Sequence, residues 1–228
     1  MVRYIGPKLR IIRRLGLLPG LTRKTCKRNA TKTPGQHGKI IFKKTKRTSL
    51  SDDYKERLIE KQKLRFNYGV TENQLISYFK KAKNAKKSTG TVLLELLEAR
   101  LDCIVYRLGL APTIPAARQL INHRHILVNN KIVNIPSFIC LQGDTVSSKN
   151  NEKSKKLITM NFDIQQQKRT LIQRRMKRIN LTKSRFHNLL PGHLEINDQM
   201  IGKVLSFVKR KNVLLKINEL KVVEYYSR

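Results

Sequence analysis

Tryptophan is absent from the chain and other aromatic residues are rare, since Phe, Tyr and Trp make up only 6% of its 228 residues. A large aromatic-lined cofactor cavity is therefore not expected. Acidic residues are also few: 15 Asp and Glu stand against 49 Lys and Arg, which gives a formal net charge of +34. Because like charges repel one another and destabilise a compact state, this excess indicates a polyanionic partner. Nucleic acid is the simplest polyanion that fits the composition.

Cysteines and long apolar runs are scarce as well. Cys26, Cys103 and Cys140 are widely separated and form no CxxC pair, which argues against a zinc site and favours free thiols in a reducing compartment. No stretch approaches the ~20 apolar residues that a membrane-spanning helix needs. Arg13 and Arg14 split the apolar residues near the N-terminus, so a secretory signal is not indicated. We therefore expect no metal, no membrane association and synthesis of the protein where it works.

Basic charge is concentrated at two places along the chain. Residues 1–51 contain 15 basic and no acidic residues, and residues 151–190 contain 11 basic and two acidic residues. We predict that residues 1–50 form a basic arm that cannot fold alone and orders on a polyanion; a solvated tail is the alternative. Residues 149–190 are predicted to be a basic insertion with a helix from Gln165 to Ile179. This insertion either touches further RNA or remains a solvated loop.

Residues 51–90 predict a small helical domain. Leu58, Ile59, Gln62 and Phe66 recur at helical spacing, and the sequence from Thr71 fits a capping box that opens a second helix.

Residues 91–148 predict a separate module. Apolar residues recur every three or four positions from Leu93 to Leu108 and predict one amphipathic helix. Thr113 is a suitable cap for a second helix. The pair Asn129–Asn130 tolerates positive φ at both turn positions and therefore predicts a tight hairpin. Two further short strands are predicted at 138–141 and 145–147.

Together these segments predict an α+β fold: a mostly helical domain with a basic N-terminal arm, plus an inserted RNA-binding domain of two helices packed on a small antiparallel sheet. The predicted segments are the basic arm (1–50), the helical domain (51–90), the RNA-binding domain (91–148), the basic insertion (149–190), and C-terminal strands and a tail that pack back on the body (191–228). The tail is expected to join the helical domain.

The module is predicted to present a basic surface. Once its apolar helix faces pack on the sheet, five side chains are expected to remain available on one side: Arg107, Arg118, His123, Arg124 and Lys131. Arginine can make bidentate hydrogen bonds to phosphate, and the first N–H groups of the second helix can bind an anion. RNA binding is the function that this surface predicts, although each residue taken alone can also be an ordinary exposed charge.

Several motifs resemble a known family. Residues 97–102 (LEARLD), 105–107 (VYR) and 117–121 (ARQLI) resemble the signature of the RNA-binding domain named after small-subunit ribosomal protein number four. The hairpin at 126–131 continues the signature, with Asn130 where the family usually has Gly. Outside the domain, the resemblance to that ribosomal protein extends to residues 3–8, 13–16, 60–69 and 222–228. Residues 18–21, 121–125 and 216–220 are most similar to plastid members.

The resemblance implies a primary rRNA-binding protein that binds the 5′ domain of small-subunit rRNA, nucleates assembly of the body and contributes to translational accuracy. Its implied partners are small-subunit rRNA, the neighbouring small-subunit proteins three and five, and the region where mRNA enters the subunit. It implies no catalytic residue, cofactor, metal or small-molecule substrate. The residues predicted to contact rRNA are Arg3, Tyr4, Lys8, Arg10, Arg13, Arg14, Lys61, Lys63, Arg65, Arg107, Arg118, His123, Arg124, Asn129 and Lys131.

Plastid-type motifs imply a ribosome in the chloroplast stroma, with a mitochondrion or the bacterial cytoplasm as alternatives. An RNA-modifying enzyme or synthetase fragment could carry the same module, but the residues outside 91–146 are too few and too basic for a catalytic domain. His123 and His125 are poorly spaced for metal ligands on one face. DNA packaging by charge alone would need no such ordered module.

Overall fold

A computed structural model describes residues 4–24, 50–179, 190–197 and 200–227. The chain forms two compact units, residues 1–93 with 215–228 and residues 94–214. The α-helices are α1 (Lys8–Leu15), α2 (Leu50–Tyr68), α3 (Glu72–Lys83), α4 (Thr89–Glu98), α5 (Leu101–Leu108), α6 (Ile114–Asn122), α7 (Glu152–Ile179) and α8 (Glu219–Tyr226). The β-strands are β1 (Ile126–Val128), β2 (Lys131–Ile132), β3 (Thr145–Ser148), β4 (Leu194–Ile196) and β5 (Gly202–Val204). Helices together with an antiparallel sheet confirm the α+β class.

The described start of the predicted arm is a packed helix. Three of its apolar residues and two of the turn after it are buried: Ile11, Ile12 and Leu15 in the helix, and Leu18 and Leu21 in the turn. They collect on one face of α1, and α2 packs against that helix. The expectation that this segment buries too little apolar surface to pack is therefore corrected for residues 8–21, because α2 supplies an apolar partner. Ordering of the arm on a polyanion stays a prediction. Residues 25–49 of the predicted arm lie outside the described part of the chain.

The second helix of the first unit begins with the predicted cap. The Thr71 side chain accepts a hydrogen bond from the Gln74 backbone N–H, and the Gln74 side chain accepts one from the Thr71 N–H. This reciprocal pair satisfies two N–H groups that have no partner within the helix. The predicted capping box is confirmed.

The C-terminal helix α8 packs along α2 in the same unit. Arg57 Nε donates to Glu224 Oε2 at 2.6 Å, and the backbone N–H of Asn218 donates to Glu60 at 3.0 Å. Rings also meet across the helices, because Tyr54 and Tyr225 have centroids 5.9 Å apart. Polar and aromatic contacts thus attach the C-terminal helix to α2, although the two helices are far apart in sequence.

The second unit packs α5 and α6 against one antiparallel sheet with the strand order β2-β1-β3-β5-β4. Its core is drawn from both helices and four of the strands, and includes Leu101, Ile104, Val105, Leu108, Ala117, Ile121, Ile126, Val128, Val146, Leu194 and Val204. The hairpin turn is confirmed, since Asn129 and Asn130 have φ angles of +49° and +62°. Both values are those that a tight turn between paired strands requires.

Strands β4 and β5 extend this same sheet, because β5 pairs with β3 through Val146 and Gly202. They were expected to pack on the body with the tail, whereas the structure gives the strands to the second unit and residues 215–228 to the first. Pairing with β5 satisfies the outer edge of β3, which would otherwise present unpaired backbone groups.

One long helix was predicted from Leu93 to Leu108, but the structure has two. Arg100 is extended between them, with φ −68° and ψ 141°. The backbone there bonds to a distant segment: the Leu101 N–H donates to the Phe138 carbonyl at 2.8 Å, and the Cys140 N–H donates to the Ala99 carbonyl at 2.9 Å. These long-range bonds replace helical ones, so the single-helix prediction is wrong.

Two further expectations about local structure are corrected. The strand predicted at 138–141 is limited to a single bridge between Ile139 and Arg100. The helix predicted to begin at Gln165 begins at Glu152, since the acidic Glu152 in its first turn suits the positive end of the helix dipole. The buried Ile158 anchors this earlier part in the core of the second unit.

Replacing Gly202 by Ala is expected to destabilise the second unit. A Cβ built at Gly202 would lie 2.7 Å from Leu108 Cδ2 and 3.0 Å from Leu108 Cγ. Leu108 is fully buried and cannot move aside without disturbing the core. Overpacking of this kind costs about 1–3 kcal/mol of unfolding free energy, which chemical denaturation measures. Gly192→Ala is the matched control, because a Cβ there meets nothing within 4 Å, and equal losses in both variants would contradict the prediction.

Candidate RNA-binding surface

A buried ion pair joins α4 to α5 in the second unit. Arg107 donates from Nε to Glu98 Oε2 at 2.9 Å and from Nη2 to Glu98 Oε1. Arg107 is 6% exposed and Glu98 is 1% exposed, so both charges lie away from solvent. A planar guanidinium matches a carboxylate in this two-bond arrangement, which fixes the orientation of one helix against the other.

Asp102 holds two further arginines in the same unit. Its Oδ2 accepts from Arg100 Nη2 at 2.8 Å and from Arg118 Nε at 2.7 Å, and its Oδ1 accepts from Arg100 Nε at 3.0 Å. Asp102 is fully buried, and its arginine partners are 3% and 6% exposed. This cluster links the start of α5 to the middle of α6.

Arg107 and Arg118 were predicted to be available on the surface of the module, and that prediction is wrong. Their guanidinium groups are buried against carboxylates and position α4, α5 and α6. Arg107 pairs with a residue nine positions away and Arg118 with one 16 positions away. Such partners depend on how the helices pack, which charge counting along the sequence does not reveal.

Other predicted residues of this unit lie on the surface at the two ends of β1. His123 and Arg124 are exposed after α6, where Arg124 has a φ of +61°, and Lys131 is exposed at the start of β2. The His123 and His125 rings stack with centroids 6.1 Å apart. Because β1 has only three residues, about 10 Å of strand separates the two groups. Two short basic turns therefore flank one strand.

Asn129 shapes the second of these turns. Its Nδ2 donates to Asp144 Oδ1 at 2.8 Å, and its Oδ1 accepts from the backbone N–H of Thr145 at 2.9 Å. The side chain thereby ties the hairpin to β3. Asn129 was predicted to contact RNA, and the geometry gives it a role in holding Lys131 at a fixed place on the sheet.

In the first unit, two of the predicted lysines are engaged with carboxylates. Lys61 is 4% exposed; its Nζ donates to Glu72 Oε1 at 3.0 Å and lies 4.8 Å from the Tyr225 ring centroid. Lys63 Nζ donates to Glu60 Oε1 at 2.5 Å. Lys61 thus contributes to the packing of α2 against α3 and α8, whereas Lys63 pairs within α2. Contact of either lysine with RNA stays a prediction.

Four predicted residues line one cavity of about 440 Å³ beside α1 and α2: Tyr4, Arg10, Arg14 and Arg65. Lys8 is exposed on α1, whereas the Nε of Arg13 is buried. Arg3 lies outside the described residues. The structure therefore brings together four of the residues that resemblance and charge singled out separately.

His193 is a buried histidine beside the Arg107–Glu98 pair that sequence reasoning did not single out. It is 2% exposed, and neither ring nitrogen has a hydrogen-bond partner among the described residues. Burial lowers the pKa of His193 to about 4, with the charge of Glu98 opposing that shift and the charge of Arg107 adding to it. A neutral imidazole is thus favoured in the folded state.

The second unit should become less stable as the pH is lowered, because of this histidine. The unfolded chain takes up a proton near the ordinary pKa of 6.5, whereas folded His193 does so only near 4, so stability is lost as pH falls from about 6.5 to 4. At pH 5 the loss attributable to this group is about 2 kcal/mol relative to pH 7. Denaturation of wild type and His193→Leu at both pH values measures it. If both proteins lost the same amount, His193 would not be the cause.

The remaining chemistry in the described residues is limited. Burial raises the pKa of the Cys103 thiol well above its usual value and that of Cys140 to about 12, so neither forms a reactive thiolate readily. Among the residues that the structure describes, no group of three His, Cys, Asp or Glu side chains could hold a metal ion. None of the helices in that part of the chain combines the length and apolar character needed to cross a bilayer.

Comparison with known proteins assigns the chain to a family. Residues 3–98 match the profile of the ribosomal protein S4/S9 N-terminal domain, and residues 99–146 match that of the S4 domain. The small ribosomal subunit protein uS4 of Thermosynechococcus vestitus is 49% identical over 100% of this chain and 99% of its own length. The chain belongs to the ribosomal protein S4 family.

Plastid-type relatives are equally similar to this S4-family protein. The small ribosomal subunit proteins uS4c of Rhodomonas salina and Physcomitrium patens are 51% and 48% identical, each over 100% of this chain and 99% of its own length. The family resemblance predicted from the sequence is therefore confirmed, and similarity extends across segments outside the S4 domain.

Sequence reasoning missed several residues that the structure of this S4-family protein makes prominent. Glu98 and Asp102 were read as parts of a motif, yet they hold the buried arginines. Lys55 and Gln62 line the cavity beside α1. The helical repeat of α2 places Gln62 on the same face as Leu58 and Ile59, but the repeat alone does not show that this face lines a cavity.

Proposed function

We propose that this S4-family chain is a structural, non-enzymatic constituent of the small ribosomal subunit and binds rRNA as a primary assembly protein. The observation that carries the proposal is the pair of exposed basic turns at the ends of β1, within the segment that matches the S4 domain. Arg124 and Lys131 project from a rigid sheet there, which suits contact with phosphates at fixed spacing. The net charge of +34 adds general attraction to RNA.

The specific target proposed is the 5′ domain of small-subunit rRNA, where binding would nucleate assembly of the body. Proteins three and five of the small subunit and the region where mRNA enters are the proposed neighbours, and translational accuracy is the proposed consequence of those contacts. Folded RNA hides most base edges in its deep grooves, so recognition would rely on shape and backbone contacts. A rigid two-turn surface held by buried ion pairs suits that kind of recognition.

Gel-shift competition tests this proposal with the full chain. Labelled 5′-domain transcript of the small-subunit rRNA should be displaced by the same unlabelled transcript and far less by a simple RNA duplex of equal length. Equal competition by the duplex would contradict specific rRNA binding. Turnover of any RNA by the purified chain would instead favour the alternative of an RNA-modifying enzyme.

A plastid is the proposed location of the ribosome that contains this chain. The high identity to uS4c proteins of an alga and a moss supports it, and the equally close cyanobacterial relatives fit the same lineage. Cell fractionation with an antibody to the chain should place it with chloroplast ribosomes. Recovery with mitochondrial or bacterial cytoplasmic ribosomes would overturn the plastid proposal.

A further inference from the structure

An open cavity of about 440 Å³ lies beside α1 and α2, in a part of the first unit that is distinct from the basic turns of the S4 domain. Its volume falls within the ~300–1,000 Å³ of pockets that hold small ligands. Apolar side chains form its floor: Ile11, Leu15, Leu58, Ile59 and Phe66. The cavity is therefore suited to a flat, largely apolar group of small size.

Four cationic side chains line the same cavity. Arg10, Arg14, Lys55 and Arg65 are all among the residues that line the cavity, and none of the lining residues is acidic. Arg10, Arg14 and Lys55 are exposed, so their charges are available at the rim. A lining that combines apolar and cationic side chains fits a ligand that joins an apolar ring system to flanking anions.

Aromatic rings supply a stacking surface at the same place. Tyr4 is 48% exposed, and its ring lies 5.6 Å from the Phe66 ring at an interplanar angle of 81°. A Cβ built at Gly6 would lie 2.6 Å from Tyr4 Cζ, so the missing side chain at Gly6 leaves the space in which the Tyr4 ring sits. Aromatic faces of this kind stack on nucleic-acid bases irrespective of sequence.

Gln62 adds an unsatisfied acceptor to the wall of the cavity. Its Oε1 is buried and has no hydrogen-bond partner among the described residues. A buried acceptor without a partner is unfavourable, and turning this flexible side chain toward a ligand with an N–H donor would relieve the cost. Adenine, cytosine and guanine each carry an exocyclic amino group that can donate to it.

We propose that this cavity takes up one unpaired RNA base bearing an amino group, stacked against Tyr4, while Arg10, Arg14 and Lys55 hold the flanking phosphates. The inference rests on the proposed RNA-binding function and adds a base pocket in the first unit. Only an unstacked nucleotide can present both a ring face and two adjacent phosphates to such a cavity, so helical RNA would leave it unfilled.

The test compares two RNA duplexes that differ by one nucleotide, an unpaired bulged adenosine and its deletion. Full-length protein should bind the bulged duplex about tenfold more tightly, which is the size of effect that one base–aromatic stack produces. Tyr4→Leu keeps apolar bulk but removes the ring face, and should reduce this preference to less than about threefold. Phe207→Leu is the matched control, since Phe207 is exposed in the other unit, and it should leave the preference unchanged.

Gln62 is tested with the same duplex carrying purine, which lacks the amino group, in place of the bulged adenine. Wild type should prefer adenine about fivefold, the effect of one hydrogen bond, and Gln62→Met should abolish that preference. Gln119→Met, at an exposed position of α6, should retain it. Equal affinity of wild type for bulged and fully paired duplexes would overturn the base pocket, even if the 5′-domain transcript still bound specifically. Loss of that specific binding would instead count against the proposed function.

Discussion

Replacing Asp102 by Asn should destabilise the second unit by about 3–5 kcal/mol, because it removes the buried negative charge that two buried arginines share. Arg100 and Arg118 both donate to this carboxylate, and Asp102 has no exposed surface through which water could take its place. Asparagine keeps the shape of the side chain but not its charge. A loss of this size is a large part of the total stability of an ordinary domain.

Thermal or chemical denaturation of the full chain, followed by circular dichroism, measures this loss. The matched control is Asp163→Asn on the exposed part of α7, which should change stability by less than about 0.5 kcal/mol. A double variant of Asp102→Asn with Arg118→Met removes both partners of one ion pair, so its loss should be smaller than the sum of the two single losses. Strict additivity would mean that Asp102 and Arg118 do not interact as the structure indicates.

Parts of the fold that depend on neighbouring residues could be predicted from the sequence, whereas parts that depend on remote residues could not. The capping box at Thr71 and the turn at Asn129–Asn130 depend on neighbouring residues, and both are confirmed. By contrast, Leu97 and Leu101 are both buried four positions apart, so the apolar repeat runs unbroken across the end of α4. The break comes from backbone bonds to residues 136–140, which are remote in sequence.

The candidate site could be predicted from the sequence only where a charged side chain is also an exposed one. Arg124 and Lys131 lie on the surface as expected, and Lys131 follows the Asn129–Asn130 turn, whose residue type tolerates positive φ. Arg107 and Arg118 are buried instead, because an acidic residue elsewhere in the fold neutralises each of them. The burial of such an arginine can be predicted only when its carboxylate partner is also known.

Burial therefore separates two kinds of arginine with different expected effects on RNA binding. Substitution of a buried one acts through the fold, as the Asp102 cluster illustrates. Substitution of an exposed one removes a contact to phosphate while the fold remains. The salt dependence of binding distinguishes the two, because only lost phosphate contacts change the number of counterions that binding releases.

Affinity of the full chain for 5′-domain rRNA should fall by about 10³-fold or more between 50 and 200 mM salt, as expected for six or more phosphate contacts. The double variant Arg124→Asn with Lys131→Gln should lower the slope of log affinity against log salt by about two, one for each phosphate contact removed. Asparagine is used because residue 124 has a φ of +61°, which asparagine tolerates. Arg118→Met is the comparison: Arg118 is buried against Asp102, so any loss of affinity there should act through the fold and leave the slope unchanged. An unchanged slope in the Arg124 and Lys131 variant would show that the two basic turns do not contact phosphate.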